Sequence, residues 1–434
     1  MGNIVAIVGR PNVGKSTLFN RLTESRKAIV HESSGVTRDR HYGKSEWNGR
    51  VFSVIDTGGY ISKSEDVFEE EIRKQVILAL NEARSIIMVV DVESGITDLD
   101  DTLAKLLRRI NKPILVAVNK VDNSDRIIDS HVFHSLGLGN IYPISSVNGS
   151  GTGELLDDLV QTFISEDEKT ESDLPRFAIV GRPNVGKSSL VNALLNEERN
   201  IVTPVSGTTR DTVDTRYNKF GLDFNLVDTA GLRKKSKVKE NIEFYSTMRS
   251  IRAIESADVC LLMIDAVDGI KSQDIAIFGL IQKNHRGVVI LVNKWDIVEK
   301  DHQSAKQFLG ELQNRIAPYT DVPVIFTSAL TKQRVFKALE AAVEVYGNLK
   351  KKIPTSKLND VIHDAVEAFP PPAVKGKFVK IKYASQLPNP TPVFAFFCNL
   401  PQYIKEPYKR YLENRLRESF NFKGVPLQLY FRKK

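Results

Sequence analysis

Gly9-Arg10-Pro11-Asn12-Val13-Gly14-Lys15-Ser16 is the stretch from which the fold can be predicted. It follows an apolar run at residues 4–8 and precedes residues with helical spacing. A strand, a glycine-containing loop and a helix in this order form a phosphate-binding loop, whose backbone N–H groups and helix N-terminus face a polyphosphate. We expect Lys15 to reach the terminal phosphates and the hydroxyl of Ser16 to ligate Mg²⁺.

The whole stretch occurs twice in the chain, and other segments repeat with it. At an offset of 172, the second copy of the loop and two further motifs appear in the same order as in the first. These are Gly181-Arg182-Pro183-Asn184-Val185-Gly186-Lys187-Ser188; Thr37 and Thr209; and Asp56-Thr57-Gly58-Gly59 with Asp228-Thr229-Ala230-Gly231. A fourth motif repeats at an offset of 174, as Asn119-Lys120-Val121-Asp122 and Asn293-Lys294-Trp295-Asp296. A duplicated domain is the simplest explanation.

Each copy alternates short apolar runs with helical stretches. In the first copy the predicted strands are 4–8, 51–55, 86–90 and 114–118, and the predicted helices are 69–80 and 103–110. Continuously apolar strands that alternate with helices predict a mostly parallel sheet covered on both faces, an α/β fold. Ligands bind at the carboxyl ends of such strands, and each motif falls just after one.

The repeated aspartates and threonines predict a nucleotide triphosphatase site. Asp56 and Asp228 are expected to hold Mg²⁺ through water, and the N–H groups of Gly59 and Gly231 to contact the γ-phosphate. Thr37 and Thr209 lie in polar loops suited to closing on Mg²⁺ when that phosphate is present.

The Asn-Lys-x-Asp motifs predict which base is bound. A carboxylate at Asp122 or Asp296 can accept two hydrogen bonds from guanine, whereas adenine lacks that pair of donors. The stems of Lys120 and Lys294 are expected to cover the base. A last base-contacting loop is expected at Ser145-Ser146 and at Ser328-Ala329. The nucleotide is therefore predicted to be GTP or GDP rather than ATP.

The excess positive charge lies in the last fifth of the chain. Residues 351–434 contain 16 basic and 6 acidic residues, whereas the remainder contains 45 basic and 47 acidic residues. The patterns predict helix 356–369, strand 378–383, strand 393–398, helix 401–420 and strand 427–431, a small α+β layer. The charge of this segment predicts a polyanionic partner.

Composition excludes other classes of protein. No apolar run approaches the ~20 residues needed to span a bilayer, and no signal-peptide pattern opens the chain, so no membrane partner is expected. Cys260 and Cys398 are far apart in sequence and predict buried, reduced thiols. The segment 166–174 is acidic and polar, as expected for a linker that either lets two domains reorient or only separates them.

The tandem motifs, together with Lys380-Ile381-Lys382-Tyr383-Ala384 and Tyr411-Leu412-Glu413-Asn414-Arg415-Leu416-Arg417, resemble the bacterial double-GTPase family known as Der or EngA. The resemblance implies two tandem Era-like GTPase domains (1–165 and 175–349) and a KH-like domain (350–434). It implies a cytoplasmic, monomeric GTPase that hydrolyses GTP to GDP and phosphate during maturation of the large ribosomal subunit, with ribosomal RNA as partner. Nucleotide state would control binding through the basic domain.

The residues after the Asp-Thr-x-Gly motifs differ from those that orient the attacking water in signalling GTPases. Signalling GTPases place a water-orienting Gln there, whereas this chain has Tyr60 and Leu232. Asn12 and Asn184 match an asparagine that helps coordinate K⁺ in related potassium-stimulated GTPases. Either K⁺ supplies the charge that an arginine finger supplies elsewhere, or both asparagines only shape the loop.

The charges that follow the two motifs differ. Acidic residues follow the first motif and basic residues the second, so the first domain could dock on the C-terminal domain in one nucleotide state. The alternative is ordinary solvated charge. The residues concerned are Glu65, Asp66, Glu69, Glu70 and Glu71, and then Arg233, Lys234, Lys235, Lys237 and Lys239.

RNA contact by the C-terminal domain is predicted to be dominated by phosphates. No Gly-x-x-Gly loop is present, which disfavours sequence-specific reading of single strands. For Arg410 and Arg417, ion pairs with Glu406 and Glu413 are the alternative. The candidate contacts are Lys375, Lys377, Lys380, Lys382, Lys405, Lys409, Arg410, Arg415, Arg417 and Lys423.

Two other functions remain open at this point. The C-terminal domain could dock a protein partner of a signalling or scaffold switch, with RNA incidental. A metabolic ATPase or kinase is disfavoured by the two Asn-Lys-x-Asp motifs.

Overall fold

A computed structural model describes residues 3–23, 42–57, 83–123, 125–163, 174–195, 214–227, 242–298, 304–374 and 376–433, and for 242–248 the backbone alone. The chain forms two compact units, Met1–Ser172 with Val238–Arg252 and Asp173–Lys237 with Ala253–Lys434. The predicted helix 69–80 and the predicted linker, apart from residue 174, lie outside the described residues.

The first repeat (3–163) is a six-stranded sheet with helices. Its elements are β1 Ile4–Val8, α1 Lys15–Thr23, β2 Tyr42–Trp47, β3 Arg50–Asp56, β4 Ser85–Asp91, α2 Asp98–Leu107, β5 Ile114–Asn119, α3 Asp125–Ser130, a 3₁₀ turn His131–Leu136, β6 Ile141–Pro143 and α4 Thr152–Gln161. The strand order is β2-β3-β1-β4-β5-β6, and only β2 runs antiparallel to its neighbour. Every residue of β1 and β4 is buried, as expected for central strands covered on both faces.

The second repeat (174–349) has the same architecture. Its elements are β7 Arg176–Gly181, α5 Lys187–Leu195, β8 Thr215–Lys219, β9 Leu222–Val227, α6 Ile242–Ser256, β10 Val259–Asp265, α7 Ser272–Lys283, β11 Gly287–Asn293, α8 Ser304–Ile316, β12 Val324–Phe326 and α9 Val335–Leu349. The order β12-β11-β10-β7-β9-β8 reproduces that of the first sheet. Two mostly parallel sheets confirm the predicted duplication and the α/β class.

The C-terminal domain (351–433) is a three-stranded sheet with two helices. It comprises α10 Thr355–Ala368, β13 Ile381–Gln386, β14 Val393–Cys398, a 3₁₀ turn Pro401–Tyr403, α11 Glu406–Phe420 and β15 Gln428–Lys433. Strand β14 is central, antiparallel to β13 and parallel to β15. Its own core is built around Phe394, Phe396, Leu412 and Leu416, which confirms the predicted α+β layer.

Within the second unit, the C-terminal domain is joined to the second repeat through backbone as well as side chains. Gly424 accepts a hydrogen bond from Val288 N–H and donates one to the carbonyl of Asp321, both at 2.8 Å. Val425 belongs to the core of the second repeat. Strand β11 thus gains a neighbour beyond the end of the short strand β12.

Three predicted elements were placed wrongly. Helix α2 begins at Asp98 rather than 103, because Thr97 and Asp100 form a capping box at its start. The predicted helix 401–420 is a 3₁₀ turn followed by α11, since Pro407 favours a helix that begins beside it. Strand β13 begins three residues later than predicted, next to a shift in its register with β14.

Other expectations hold in the described residues. Cys260 and Cys398 are buried free cysteines, as predicted. Among the residues that the structure describes, no helix combines the length and apolarity required to cross a bilayer.

Candidate functional site

The two phosphate loops require glycine at matching positions. A Cβ on Gly9 would lie 2.4 Å from the carbonyl oxygen of Val89, and one on Gly181 would lie 2.5 Å from that of Met263. Both glycines have φ angles near +150°, which side chains disfavour. The loops therefore pass close to the neighbouring strands β4 and β10, at the carboxyl ends where ligands were predicted.

The asparagines of the loops adopt left-handed backbone conformations. Asn12 has φ of 65° and Asn184 has φ of 64°, and both side chains are exposed. Asparagine tolerates this region better than most residues do. Shaping of the loop is therefore one role of these asparagines, and it leaves their exposed amides available to a ligand.

The loop lysines point back at the loop backbone. Lys15 Nζ donates to the carbonyl of Arg10 at 2.6 Å, and Lys187 Nζ donates to that of Gly181 at 2.7 Å. Burial lowers the pKa of Lys15, an effect that Asp56 opposes and Arg10 reinforces. A bound polyphosphate would give this buried cation the anionic partner that stabilises its charge.

Two of the three predicted magnesium ligands of the first repeat, Ser16 and Asp56, lie together. Ser16 Oγ donates to Asp56 Oδ2 at 2.6 Å, and Asp56 is fully buried. Next to it, the Thr57 hydroxyl donates to the carbonyl of Ile7 and fixes the end of β3 beside β1. A hydroxyl and a carboxylate fit a hard cation such as Mg²⁺.

Asn119 and Asn293 connect two parts of each candidate site. Asn119 Nδ2 donates to the carbonyl of Val13 at 2.8 Å, and its Oδ1 accepts from Ser146 N–H at 2.9 Å. Asn293 makes the same two bonds, at the same distances, with Val185 and Ala329. Each buried amide thus holds the phosphate loop against the loop predicted to contact the base.

That amide also explains the second glycine of each phosphate loop. A Cβ on Gly14 would lie 2.2 Å from Asn119 Nδ2, and one on Gly186 would lie 2.2 Å from Asn293 Nδ2. The motifs at residues 9–16 and 119–122 therefore depend on each other sterically, although more than 100 residues separate them.

The base-side loops of the two repeats are held by matching backbone hydrogen bonds and by different side-chain contacts. Ser145 Oγ donates to Asp122 Oδ1 at 2.5 Å, which holds the exposed carboxylate of Asp122 at the base loop. In the second repeat Asp296 is half-buried, and Trp295 packs on Phe326 with ring centroids 4.3 Å apart. Backbone bonds join Val121 to Ile144 and Trp295 to Thr327.

Two carboxylates that were not predicted from the sequence hold Lys120 and Lys294, the lysines predicted to cover the base. Lys120 Nζ lies 2.6 Å from Asp91, and Lys294 Nζ lies 2.5 Å from Asp265. The hydrogen bond to Asp91 raises the pKa of Lys120. Burial opposes ionisation of Asp265, but Lys294 and two backbone N–H groups hold its pKa below the usual range. Each aspartate is the last residue of an apolar strand, and this position was the feature of the sequence that could have identified it.

The arginines of the phosphate loops are anchored by a second pair of carboxylates that the sequence patterns did not indicate. Arg10 Nε donates to Asp100 at 3.2 Å, and Arg182 Nε donates to Asp274 at 2.9 Å. Both aspartates are fully buried in the first turn of a helix, α2 or α7. Each loop is therefore tethered to the helix that follows β4 or β10.

Several predicted site residues cannot be placed. They lie outside the described residues: Thr37, Gly58, Gly59, Tyr60, Thr209, Asp228, Thr229, Ala230, Gly231 and Leu232, with the acidic and basic segments that follow the two motifs. Pro11 and Pro183 lie in the described phosphate loops, and Ser188 is the second residue of α5.

Comparisons with known proteins cover the chain from end to end. A family model described as 50S ribosome-binding GTPase matches residues 4–120 and 176–294. A model described as the C-terminal KH-domain-like region of EngA bacterial GTPase enzymes matches residues 352–432. The first match lies within the two repeats, and the second lies within the C-terminal domain described above.

Curated relatives and solved structures were also found. GTPase Der of Christiangramia forsetii is 62% identical and GTPase Der of Bacteroides fragilis is 59% identical, each over 100% of both chains. A structure of Era from Aquifex aeolicus bound to GDP and AlF4⁻ is 22% identical, covers 60% of this chain and 92% of its own, and has a TM-score of 0.31.

Proposed function

We propose that this chain, which belongs to the GTPase Der family, acts in assembly of the large ribosomal subunit. As a member of that family it is a GTP-binding protein and a GTPase. In the proposal, the nucleotide state of the two repeats controls binding of ribosomal RNA by the basic C-terminal domain. The observation that carries it is the net charge of +10 on residues 351–434, fused to two copies of one nucleotide site.

Each nucleotide site would act by positioning and charge. Asp122 or Asp296 accepts hydrogen bonds from guanine, and the lysine held by Asp91 or Asp265 covers the base. Lys15 and Lys187 turn from backbone carbonyls to the phosphates and stabilise charge that develops as water attacks in line. The bond from water oxygen to the γ-phosphorus forms, the bond to the β–γ bridging oxygen breaks, and GDP and phosphate are released.

Two cations complete the proposal. Ser16, Asp56 and Thr37 would hold Mg²⁺, as would Ser188, Asp228 and Thr209, and Mg²⁺ when bound neutralises phosphate charge. The exposed amides of Asn12 and Asn184 would help to bind K⁺, a role beyond shaping the loop.

The potassium proposal can be separated from loop shaping by a single substitution in each repeat. Asn12→Gly and Asn184→Gly keep a residue that favours positive φ but remove the amide oxygen. We expect faster turnover in KCl than in NaCl for the parent, and equal rates in the two salts for the double variant, with GTP affinity retained. A parent that turns over equally fast in both salts contradicts the potassium proposal.

The candidate RNA contacts of the C-terminal domain differ in exposure and in ion pairing. Among the candidates, the exposed side chains are Lys377, Lys380, Lys382, Lys405, Arg410 and Lys423. Lys375 lies outside the described residues. Glu406 pairs with Lys409, its i,i+3 neighbour, at 2.6 Å. Arg415 pairs with Glu418.

Arg417, one of the candidate RNA contacts, is mostly buried and contacts other groups of the protein. It pairs with Glu413, as the alternative predicted, and its side chain is only 10% exposed. It also lies 3.6 Å from Asp321 and over the ring of Tyr319, both in the second repeat. Its charge therefore serves the junction between the second repeat and the C-terminal domain.

Co-sedimentation with separated ribosomal subunits tests the proposed function. We expect nucleotide-dependent binding to the large subunit that weakens steeply with salt. The double variant Lys380→Gln/Lys382→Gln should weaken binding and lower the salt slope by about 2, about 1 per phosphate contact. The control Lys105→Gln removes an exposed lysine of α2 and should change neither. Equal binding to both subunits, or none to the large one, would refute the proposal.

A further inference from the structure

An aromatic pair is exposed on the second repeat. Phe220, at the tip of the β8–β9 hairpin, is 69% exposed, and Phe336, in the first turn of α9, is 41% exposed. Their ring centroids are 5.5 Å apart, edge to face. Large exposed apolar side chains that cluster mark interaction sites more often than single ones do.

The backbone at Phe220 is one that a bulky residue disfavours. Phe220 has φ of 52° and is followed by Gly221 with φ of 76°. The same turn in the first repeat, at an offset of 172, is Asn48-Gly49 with φ of 48° and 76°, the residue pair that such hairpins prefer. The second repeat therefore tolerates strain to present an exposed ring where asparagine would fit better.

Two basic residues close to Phe336 in sequence also replace residues of the first repeat that suit a left-handed backbone. Lys332 has φ of 60° and Arg334 has φ of 55°, just before Phe336. At an offset of 183, set by Ser145 and Ser328, the first repeat has Gly149 and Gly151 in the same left-handed region. Exposed cations thus occupy two further positions that glycine fills in the first repeat.

The charge of the surface also differs between the repeats. Lys337 follows Phe336, whereas the matching residue of the first repeat is Glu154, after Gly153. In the first repeat Trp47 is half-buried, and its Nε1 donates to Asp157 at 2.7 Å. The aromatic side chain there packs inward beside Glu154 and Asp157. In the second repeat the rings are exposed beside Lys332, Arg334 and Lys337, with Glu340 at the position that matches Asp157.

We infer that these residues, the aromatic–basic patch (Phe220, Phe336, Lys332, Arg334 and Lys337), bind single-stranded RNA. Exposed rings can stack on unpaired bases, and the adjacent cations can contact phosphates. Three basic side chains beside the rings favour a polyanion over an apolar protein segment. The choice of RNA rests on the proposed function, but the patch lies on the second repeat and is separate from the C-terminal domain.

The test uses full-length variants that borrow residues from the first repeat. Phe220→Asn removes the ring, and Arg334→Gly removes a cation, and both new residues suit a left-handed backbone. Fluorescence anisotropy would measure binding of a labelled, unstructured RNA of about 12 nucleotides and of an RNA duplex. The matched control is Asn48→Phe, which places an exposed ring at the equivalent turn of the first repeat.

We expect Phe220→Asn to weaken single-strand binding at least about fivefold, the loss of one base stack, and to leave duplex binding unchanged. Its melting temperature should stay the same or rise by about 2–4 °C, because strain is relieved as the ring contact is lost. Arg334→Gly should lower the salt slope of single-strand binding by about 1. Asn48→Phe should lower the melting temperature and leave RNA binding unchanged.

Single-strand binding within twofold of the parent for Phe220→Asn would overturn the inference. So would an equal loss for single strand and duplex, or loss of a ribosomal-protein contact with RNA binding intact. If Lys380→Gln/Lys382→Gln weakens binding to the large subunit while Phe220→Asn leaves RNA binding intact, the inference fails and the proposed function stands.

Discussion

Gly424→Ala should loosen the C-terminal domain from the second repeat. Gly424 has φ of +75°, and its N–H and carbonyl bond Asp321 and Val288 across the junction. An added Cβ would lie 2.6 Å from Val345 Cγ2 and 2.9 Å from the carbonyl oxygen of Val288. Contacts under 3.0 Å cannot be accommodated without movement, and the second of them is to backbone.

A control variant separates the two contributions to the expected loss of stability, backbone strain and overpacking. Gly376 has φ of +71°, but a Cβ added there would have nothing within 4 Å, so Gly376→Ala introduces backbone strain alone, about 1–2 kcal/mol. Gly424→Ala adds overpacking of about 1–3 kcal/mol to the same strain. We therefore expect a loss in the free energy of unfolding of about 2–5 kcal/mol for Gly424→Ala, against about 1–2 kcal/mol for the control.

Two measurements test this reasoning. Urea unfolding gives the two free energies, and amide hydrogen exchange reports Val288 N–H directly. If the junction opens locally, exchange at Val288 should accelerate by about fivefold to 150-fold, the factor that corresponds to about 1–3 kcal/mol. Equal stabilities for the two variants, with exchange at Val288 unchanged, would show that the junction does not depend on Gly424.

Three further predictions concern the first site and the junction. Asn119→Ala leaves two buried backbone groups unpaired and should lower the free energy of unfolding by about 2–4 kcal/mol, measured in urea. Burial lowers the pKa of Lys15 from 10.5, so the nucleotide-free repeat should gain stability as pH rises through the lowered value, because the unfolded chain then binds more protons. GTP affinity, measured by calorimetry, should fall as the pH rises through the lowered pKa, because Lys15 then loses its charge. Lys15→Arg should abolish this fall, because arginine stays charged. Arg417→Met removes the cation 4.9 Å from the centre of the Tyr319 ring and should destabilise the second unit by about 1–3 kcal/mol; an unchanged urea midpoint would contradict that.

Local patterns were sufficient to predict the repeated elements. Strands β1 and β14 have the predicted bounds, because a continuous apolar run between Asn3 and Gly9, or between Pro392 and Asn399, leaves little choice for a buried strand. Ile404, Tyr408, Leu412 and Leu416, which recur every four residues, are all buried, although Ile404 precedes the helix. The helix starts were predicted wrongly where a capping box or a proline decides at which residue the helix begins.

The duplication, the α/β class and the motifs that mark two guanine-nucleotide sites could be predicted from residue order, because these features depend on spacing along the chain. Which distant groups complete each site became visible only in the folded chain. Arg10 pairs with Asp100, 90 residues away, Asn119 joins two loops, and Arg417 contacts Asp321 of the second repeat. Such pairs form where the sheet brings strand ends together, and no local period records them.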